Sequence, residues 1–291
     1  MDKLEKALEK AREQRRIQLE NEEAERRNAP PRDNTTNPRE SAFIGSNMVP
    51  IEEEIIERQH IIAHHTRSAE ADIFRILRTK ILQAMNQSGM KTLGITSPNY
   101  GDGKTTIALN LAVSIALDLK QTVLLVDLDL RKPNVTDYLG IHAEYGISDY
   151  FLHNVPISKC LLRPSFDRMT ILPAGSVMDN SSEVLGSPKI AALANELRAR
   201  YPDRLIIYDM PPTLVQDDPL AFLPNIDAVL LVVNEGATKV SDLKQSLNIL
   251  SGANVIGTVL NASAARNQSK RVARVLEYMN RYFQKFNEAR A

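Results

Sequence analysis

Two closely spaced glycines, a lysine and two threonines stand together in Gly101-Asp102-Gly103-Lys104-Thr105-Thr106, a set suited to holding a chain of phosphates. Glycines let successive backbone N–H groups turn inward around phosphate oxygens, the lysine adds a point charge, and a following helix contributes the positive end of its dipole. Thr105 would place its hydroxyl on a Mg2+ ion bridging those phosphates. The stretch GITSPNY leads into this loop from an apolar run, and IALNLAVSIAL leaves it with helical character. Strand before and helix after is the context a phosphate loop requires. The strict pattern G-x-x-x-x-G-K-[ST] asks for glycine where this chain has Pro98, a single departure. Tyr100 and Asp102 lie in the same loop, facing either nucleotide or solvent. The competing reading, a glycine turn that merely caps a buried helix, weakens once two carboxylate motifs downstream are added.

The first of these closes the run VLLVD as Asp127-Leu-Asp129-Leu-Arg131-Lys132-Pro133; the second closes LIIYD as Asp209-Met-Pro-Pro. Both place acids at the C-terminal edge of a sheet, where open α/β folds bind ligands. Asp209 has the form of an acid that holds Mg2+ directly or through water. A lone strand-terminal aspartate is usually a loop or helix cap. Together with Lys104 the acids Asp127, Asp129 and Asp209 make a specific set, and Arg131 adds a cation at the same edge.

The elements that must position these groups follow from the apolar runs. LGIT, VLLVD, MTIL, LIIYD, AVLLVV and VIGTVL alternate with helical patterns and show no internal polar alternation, so their strands are covered on both faces. The expectation is an α/β fold with a mostly parallel central sheet of about seven strands flanked by helices, over residues 91–285. In front of it, residues 1–27 carry Leu4, Ala7, Leu8 and Ala11 at helical spacing, an amphipathic segment that either docks a partner or is simply solvated. Residues 28–50 are rich in Pro, Asn and charge and read as a linker, so the N-terminal extension is helical and partly disordered. Residues 51–90 read as two helices, with Ile73, Leu77, Ile81 and Met85 recurring every fourth position, and residues 286–291 as a tail.

Composition narrows the partners. Lys plus Arg is 36 and Asp plus Glu is 36, so the balance does not favour nucleic acid. The single cysteine, Cys160, fits a reducing compartment and a packing role. No apolar run reaches the roughly 18–20 residues of a membrane span, and the charged start is unlike a signal peptide, so the expected location is cytoplasmic. His60, His64 and His65 lack a companion ligand by pattern and read as surface or packing residues.

The phosphate loop T-S-x-x-x-G-x-G-K-T, the acid-rich DLDLRKP and the closing DMPP, in that order, resemble the bacterial tyrosine kinases of capsule and exopolysaccharide synthesis. The resemblance covers about residues 67–283 and includes SSEVLGSPKI, DDPLAF, VLLVVNEGATK and IGTVLNA. It implies a P-loop fold that uses ATP and Mg2+ to phosphorylate tyrosines on itself or on neighbours in a ring. It also implies a membrane polysaccharide copolymerase as activating partner, recruiting the chain to the inner face of the membrane. On this resemblance Gly101, Asp102, Gly103, Lys104, Thr105 and Thr106 hold phosphate, with Arg131 as a further nucleotide-side cation; Lys104, Asp127, Asp129 and Asp209 are catalytic, Thr105, Asp127 and Asp209 hold Mg2+, and Asp127 or Asp129 accepts or orients the acceptor's proton. Asn261 matches a position near the adenine, although an Asn closing a strand is often a turn residue. Asp72, Arg75 and Arg78 stand where the family carries E-x-x-R-x-x-R for ring assembly, with an acid one methylene shorter. The usual C-terminal tyrosine cluster is reduced to Tyr278 and Tyr282, the candidate acceptors. Two alternatives share the fold: an ATPase switch, which usually has lysine where Asn99 stands, and an ATP-gated docking module without phosphotransfer.

Overall fold

The computed structural model describes residues 47–65, 67–118, 121–200 and 204–262. The segment read as an amphipathic helix over 1–27, most of the linker, Tyr278, Tyr282 and the tail lie outside the described residues. Among the described residues eight strands form one sheet: β1 (Asn47–Val49), β2 (Thr92–Thr96), β3 (Thr122–Asp127), β4 (Leu162–Pro164), β5 (Met169–Leu172), β6 (Arg204–Asp209), β7 (Ala228–Asn234) and β8 (Val255–Asn261). They stand in the order β1-β4-β5-β3-β6-β2-β7-β8, with every neighbouring pair parallel except β4 and β5. All six apolar runs are strands, and the class expected from them holds. The two additional strands, β1 and β4, are three residues each, too short to show a pattern, and β1 falls at the end of the stretch read as linker.

Successive side chains along a strand point to opposite faces, and here both faces are apolar. Val123 and Leu125 of β3 join Leu205 and Ile207 of β6 in one cluster; Leu124 and Val126 join Ile206 and Tyr208 in the other. That double coverage explains the missing polar alternation. Cys160 lies buried in the second cluster.

The helices are α1 (Glu53–Arg58), α2 (Ala69–Gln87), α3 (Lys104–Ala116), α4 (Val135–Leu139), α5 (Ile147–His153), α6 (Ile157–Cys160), α7 (Ser181–Leu185), α8 (Pro188–Arg200), α9 (Asp218–Phe222) and α10 (Val240–Ile249). No described helix is long and apolar enough to cross a membrane. Helix α3 is buried almost all round, between the sheet and α2. Its two polar interruptions mark where the preceding chain docks. The Asn110 amide accepts from Ile62 N and Ala63 N and donates to the carbonyls of His60 and Thr106, so a fully buried side chain has every partner it needs. Ser114 donates to the Phe74 carbonyl.

The apolar face of α2 differs from the four-residue repeat. Ala71, Phe74, Ile81 and Met85 are buried, whereas Ile73 is 62% exposed. A helix turns about 100° per residue, so a strict four-residue spacing drifts about 40° per step and leaves the core-facing side within three steps.

Candidate active site

In the sheet β6 lies between β3 and β2, and each of the three delivers one loop to the same edge. Asp127 and Asp209 are register partners, so the two strand-terminal acids stand side by side. The loop after β2 arrives beside them because Met210 N donates to the Ile95 carbonyl and Thr213 N to that of Ser97.

At the centre Lys104 Nζ lies 3.0 Å from Asp129 Oδ2 and 3.7 Å from Asp209 Oδ1. Thr105 Oγ1 donates to Asp209 Oδ2 at 2.6 Å. Burial alone would lower the Lys104 ammonium, but Asp209 and Asp129 outweigh it and hold it above the usual lysine range. Burial, opposed by Lys104 and Thr105, holds Asp209 above the usual carboxylate range. Asp127 is pushed up to about 7 by burial and by the adjacent Asp209. Its oxygens are already engaged, Oδ1 accepting from Asp129 N and Oδ2 from Asn134 N and Val135 N, each at 3.1 Å. Of the three residues read as metal-holding, Thr105 and Asp209 therefore meet each other, while Asp127 supports the loop from β3 to α4.

Three buried carboxylates against one ammonium leave a formal excess of two negative charges. Buried like charges are costly, and a divalent cation relieves this excess. Hard carboxylate and hydroxyl oxygens suit Mg2+. Among the described residues no group of three or more His, Cys, Asp or Glu side chains forms a ready metal site. Mg2+ shared with phosphates and water needs only one or two carboxylates.

The phosphate loop is shaped from its other side. Gly103 caps α3 at φ 94°, and a Cβ there would stand 2.0 Å from Asn261 Nδ2. That conformation and that approach require glycine. Asn261 Nδ2 donates to the Asp102 carbonyl at 3.1 Å, and Asn234 Nδ2 to the Gly101 carbonyl at 3.3 Å. The Asp102 carboxylate turns inward, accepting from Thr238 Oγ1 at 2.7 Å and Asn99 N at 2.8 Å. Burial raises it despite these bonds. Asp102 and Asn261, both read as nucleotide contacts, thus use their side chains to shape the loop. Thr106 opens the helix beside Lys104.

Arg131 is also engaged by the protein: Nε donates to Ser181 Oγ at 2.7 Å, and Nη2 stands 3.7 Å from Asp218 Oδ1. In α2, Arg75 pairs with Asp72 and donates to the His65 carbonyl, but Arg78 turns onto the C-terminal end of α3, donating to the Ser114 carbonyl at 2.7 Å. Asp72 and Arg75 share a surface; Arg78 fastens α2 to α3. Sequence reasoning assigned no role to Thr238, Asn234 or Gln216. The first two lie within VLLVVNEGATK, where polar residues directly close a buried strand, a signal that was available.

A parallel α/β sheet with a glycine-shaped loop, a buried lysine at the following helix N-terminus and acids at the neighbouring strand ends defines a P-loop nucleotide-binding protein. The chain belongs to the CobQ/CobB/MinD/ParA nucleotide-binding domain family, whose model matches residues 93–287. It is 29% identical over 218 residues to tyrosine-protein kinase YwqD of Bacillus subtilis (strain 168), spanning 74% of this chain and 90% of that protein. It is 32% identical over 190 residues to the putative tyrosine-protein kinase EpsB of Ralstonia nicotianae, spanning 65% of this chain and only 25% of EpsB. The crystal structure of the chimerical protein CapA2B2 superposes with a TM-score of 0.66 at 27% identity, covering 78% of this chain and 99% of that one.

Proposed function

We propose that the chain is an ATP- and Mg2+-dependent protein-tyrosine kinase that phosphorylates itself or its neighbours and serves capsule or exopolysaccharide production. The observation that carries this is Lys104 held between Asp129 and Asp209, with Thr105 on the second acid. The relatives named as tyrosine kinases support the acceptor class. Lys104 would neutralise charge on the transferred phosphoryl group, and Thr105 with Asp209 would hold Mg2+. The metal supplies further charge neutralisation there.

Asp129 is the acid that takes the acceptor's proton, since Asp127 is committed to backbone N–H groups. The acceptor phenol oxygen forms a bond to the γ-phosphorus as the bond from that phosphorus to the β–γ bridging oxygen breaks. ADP leaves with that oxygen, and the phenolic proton goes to Asp129. The protein works as a homo-oligomer through the Asp72 and Arg75 surface of α2, recruited to the inner face of the membrane by a polysaccharide copolymerase. Tyr278 and Tyr282 are its first acceptors.

The test is phosphatase-treated protein incubated with Mg2+ and ATP and mapped by mass spectrometry, with Lys104→Met as control. Phosphotyrosine in the wild type and none in the control supports the reading. ATP hydrolysis without phosphotyrosine moves the assignment to an ATPase switch.

A further inference from the structure

Asn99, Tyr100 and Asp102 of the phosphate loop send their side chains to opposite sides. Asn99 Nδ2 donates to Asp242 Oδ2 at 3.1 Å and Asp102 accepts from Thr238, both towards the β7 side. Tyr100, between them, turns the other way. Its hydroxyl is hydrogen-bonded by Gln216 Nε2, and Lys132 Nζ stands 5.0 Å from its ring centroid. Tyr100 comes from the loop that carries Lys104, Lys132 from the loop that carries Asp129, and Gln216 from the loop that follows Asp209. The cluster is therefore assembled by the same three loops as the reacting centre, on its acid side. Gln216 is buried, whereas Tyr100 remains 38% exposed and Val215, next to Gln216 in the chain, 49% exposed.

An acceptor must approach from this side, because Asp129 lies there and the β7–β8 side of the loop is closed by Asn234, Thr238 and Asn261. A half-exposed aromatic ring at such a mouth pairs well with a second ring, offset or edge-on. Arg131 at the same rim is balanced by Asp217 and Asp218, while Lys132 next to it adds a solvent-facing cation. Resting on the kinase reading, we infer that Tyr100 and Lys132 form the acceptor-binding wall of the site and favour a tyrosine next to an acidic side chain, as Tyr278 is next to Glu277. Tyr100 is a specificity-determining residue; it takes no part in the proton or phosphoryl transfer.

The test measures phosphate transfer by the full chain to a random Glu–Tyr copolymer, with separate KM values for copolymer and ATP. Tyr100→Ala raises KM for the copolymer at least about 10-fold more than KM for ATP. Tyr100→Phe, which keeps the ring and removes the hydrogen bond to Gln216, stays within about 3-fold of wild type. Lys132→Glu raises the copolymer KM in the same selective way. Equal effects of Tyr100→Ala on both substrates, or equal effects of Tyr100→Phe and Tyr100→Ala, would make the cluster a structural latch and overturn the inference. A wild-type chain that phosphorylates its own tyrosines but not the copolymer overturns the inference alone. No phosphotyrosine on any protein overturns it together with the kinase reading.

Discussion

On the β3–β6 side of the phosphate loop three carboxylates and one ammonium are buried together, whereas on the β7–β8 side amides, a hydroxyl and one carboxylate hold the loop with both carboxylate oxygens engaged. The first side carries crowded like charge, which a proton on Asp127 or a bound cation relieves. The second is complete in the protein alone. A buried polar group with all its partners rigidifies its surroundings, while an excess of buried like charge weakens the fold in exchange for affinity towards a counter-charge. Chemistry and scaffold are thus divided across one loop. Substitutions on the two sides should move activity and stability in opposite proportion.

The largest effect on activity falls on the charged side. Asp129→Asn removes one of three crowded acids and the proton acceptor, so phosphoryl transfer falls by roughly 10²–10⁴-fold. The thermal midpoint of the metal-free protein stays level or rises, because the remaining acids repel one another less. Calorimetry beside a radiolabel transfer assay checks both, and a midpoint that falls along with activity would erase the contrast. On the scaffold side Thr238→Val leaves the Asp102 carboxylate buried without one donor, at a cost of about 1–3 kcal/mol of stability. Nucleotide affinity weakens about 10-fold as the loop loosens, and Thr238→Ser restores both, read by denaturant melts and isothermal titration.

The smallest effect lies at the opposite edge of the sheet and sharpens the comparison as a remote reference. Asp227 Oδ2 accepts from Lys91 N at 2.8 Å and Thr92 N at 3.1 Å, and Arg198 Nη1 stands 2.8 Å from Oδ1. Burial works upward on this acid, but the two backbone N–H groups and Arg198 hold it below its ordinary value. A carboxylate lowered in the folded state stabilises above its unfolded pKa of about 3.9, and that contribution is lost as pH falls through the folded value. Asp227→Asn therefore costs about 1 kcal/mol near neutral pH, discounted for partial exposure, and nothing in strong acid. Melts at pH 7 and pH 2 measure the difference, with transfer activity unchanged.

The sequence by itself determined the strand-loop-helix order, the double apolar coverage of the strands, and the identities of Lys104, Thr105, Asp127, Asp129 and Asp209 as one set. These are local facts: a run of apolar residues, a glycine spacing, an acid at a strand end. Asn110 and Ser114 carried no reading of their own, and the structure alone shows that they hold α2 and its preceding turn. Only the tertiary structure decided where side chains point. Asp102 looks like a ligand-facing acid until Thr238, 136 positions away, turns it inward. Arg78 reads as the third member of a surface stripe until the end of α3 claims it. Tyr100 meets Gln216 across 116 positions because β6 lies next to β2 although three strands, β3 to β5, separate them in the chain. Sequence pattern encodes period and composition. Strand order brings distant loops to one edge, and it is set by which apolar faces pack together, a long-range property that no local spacing records.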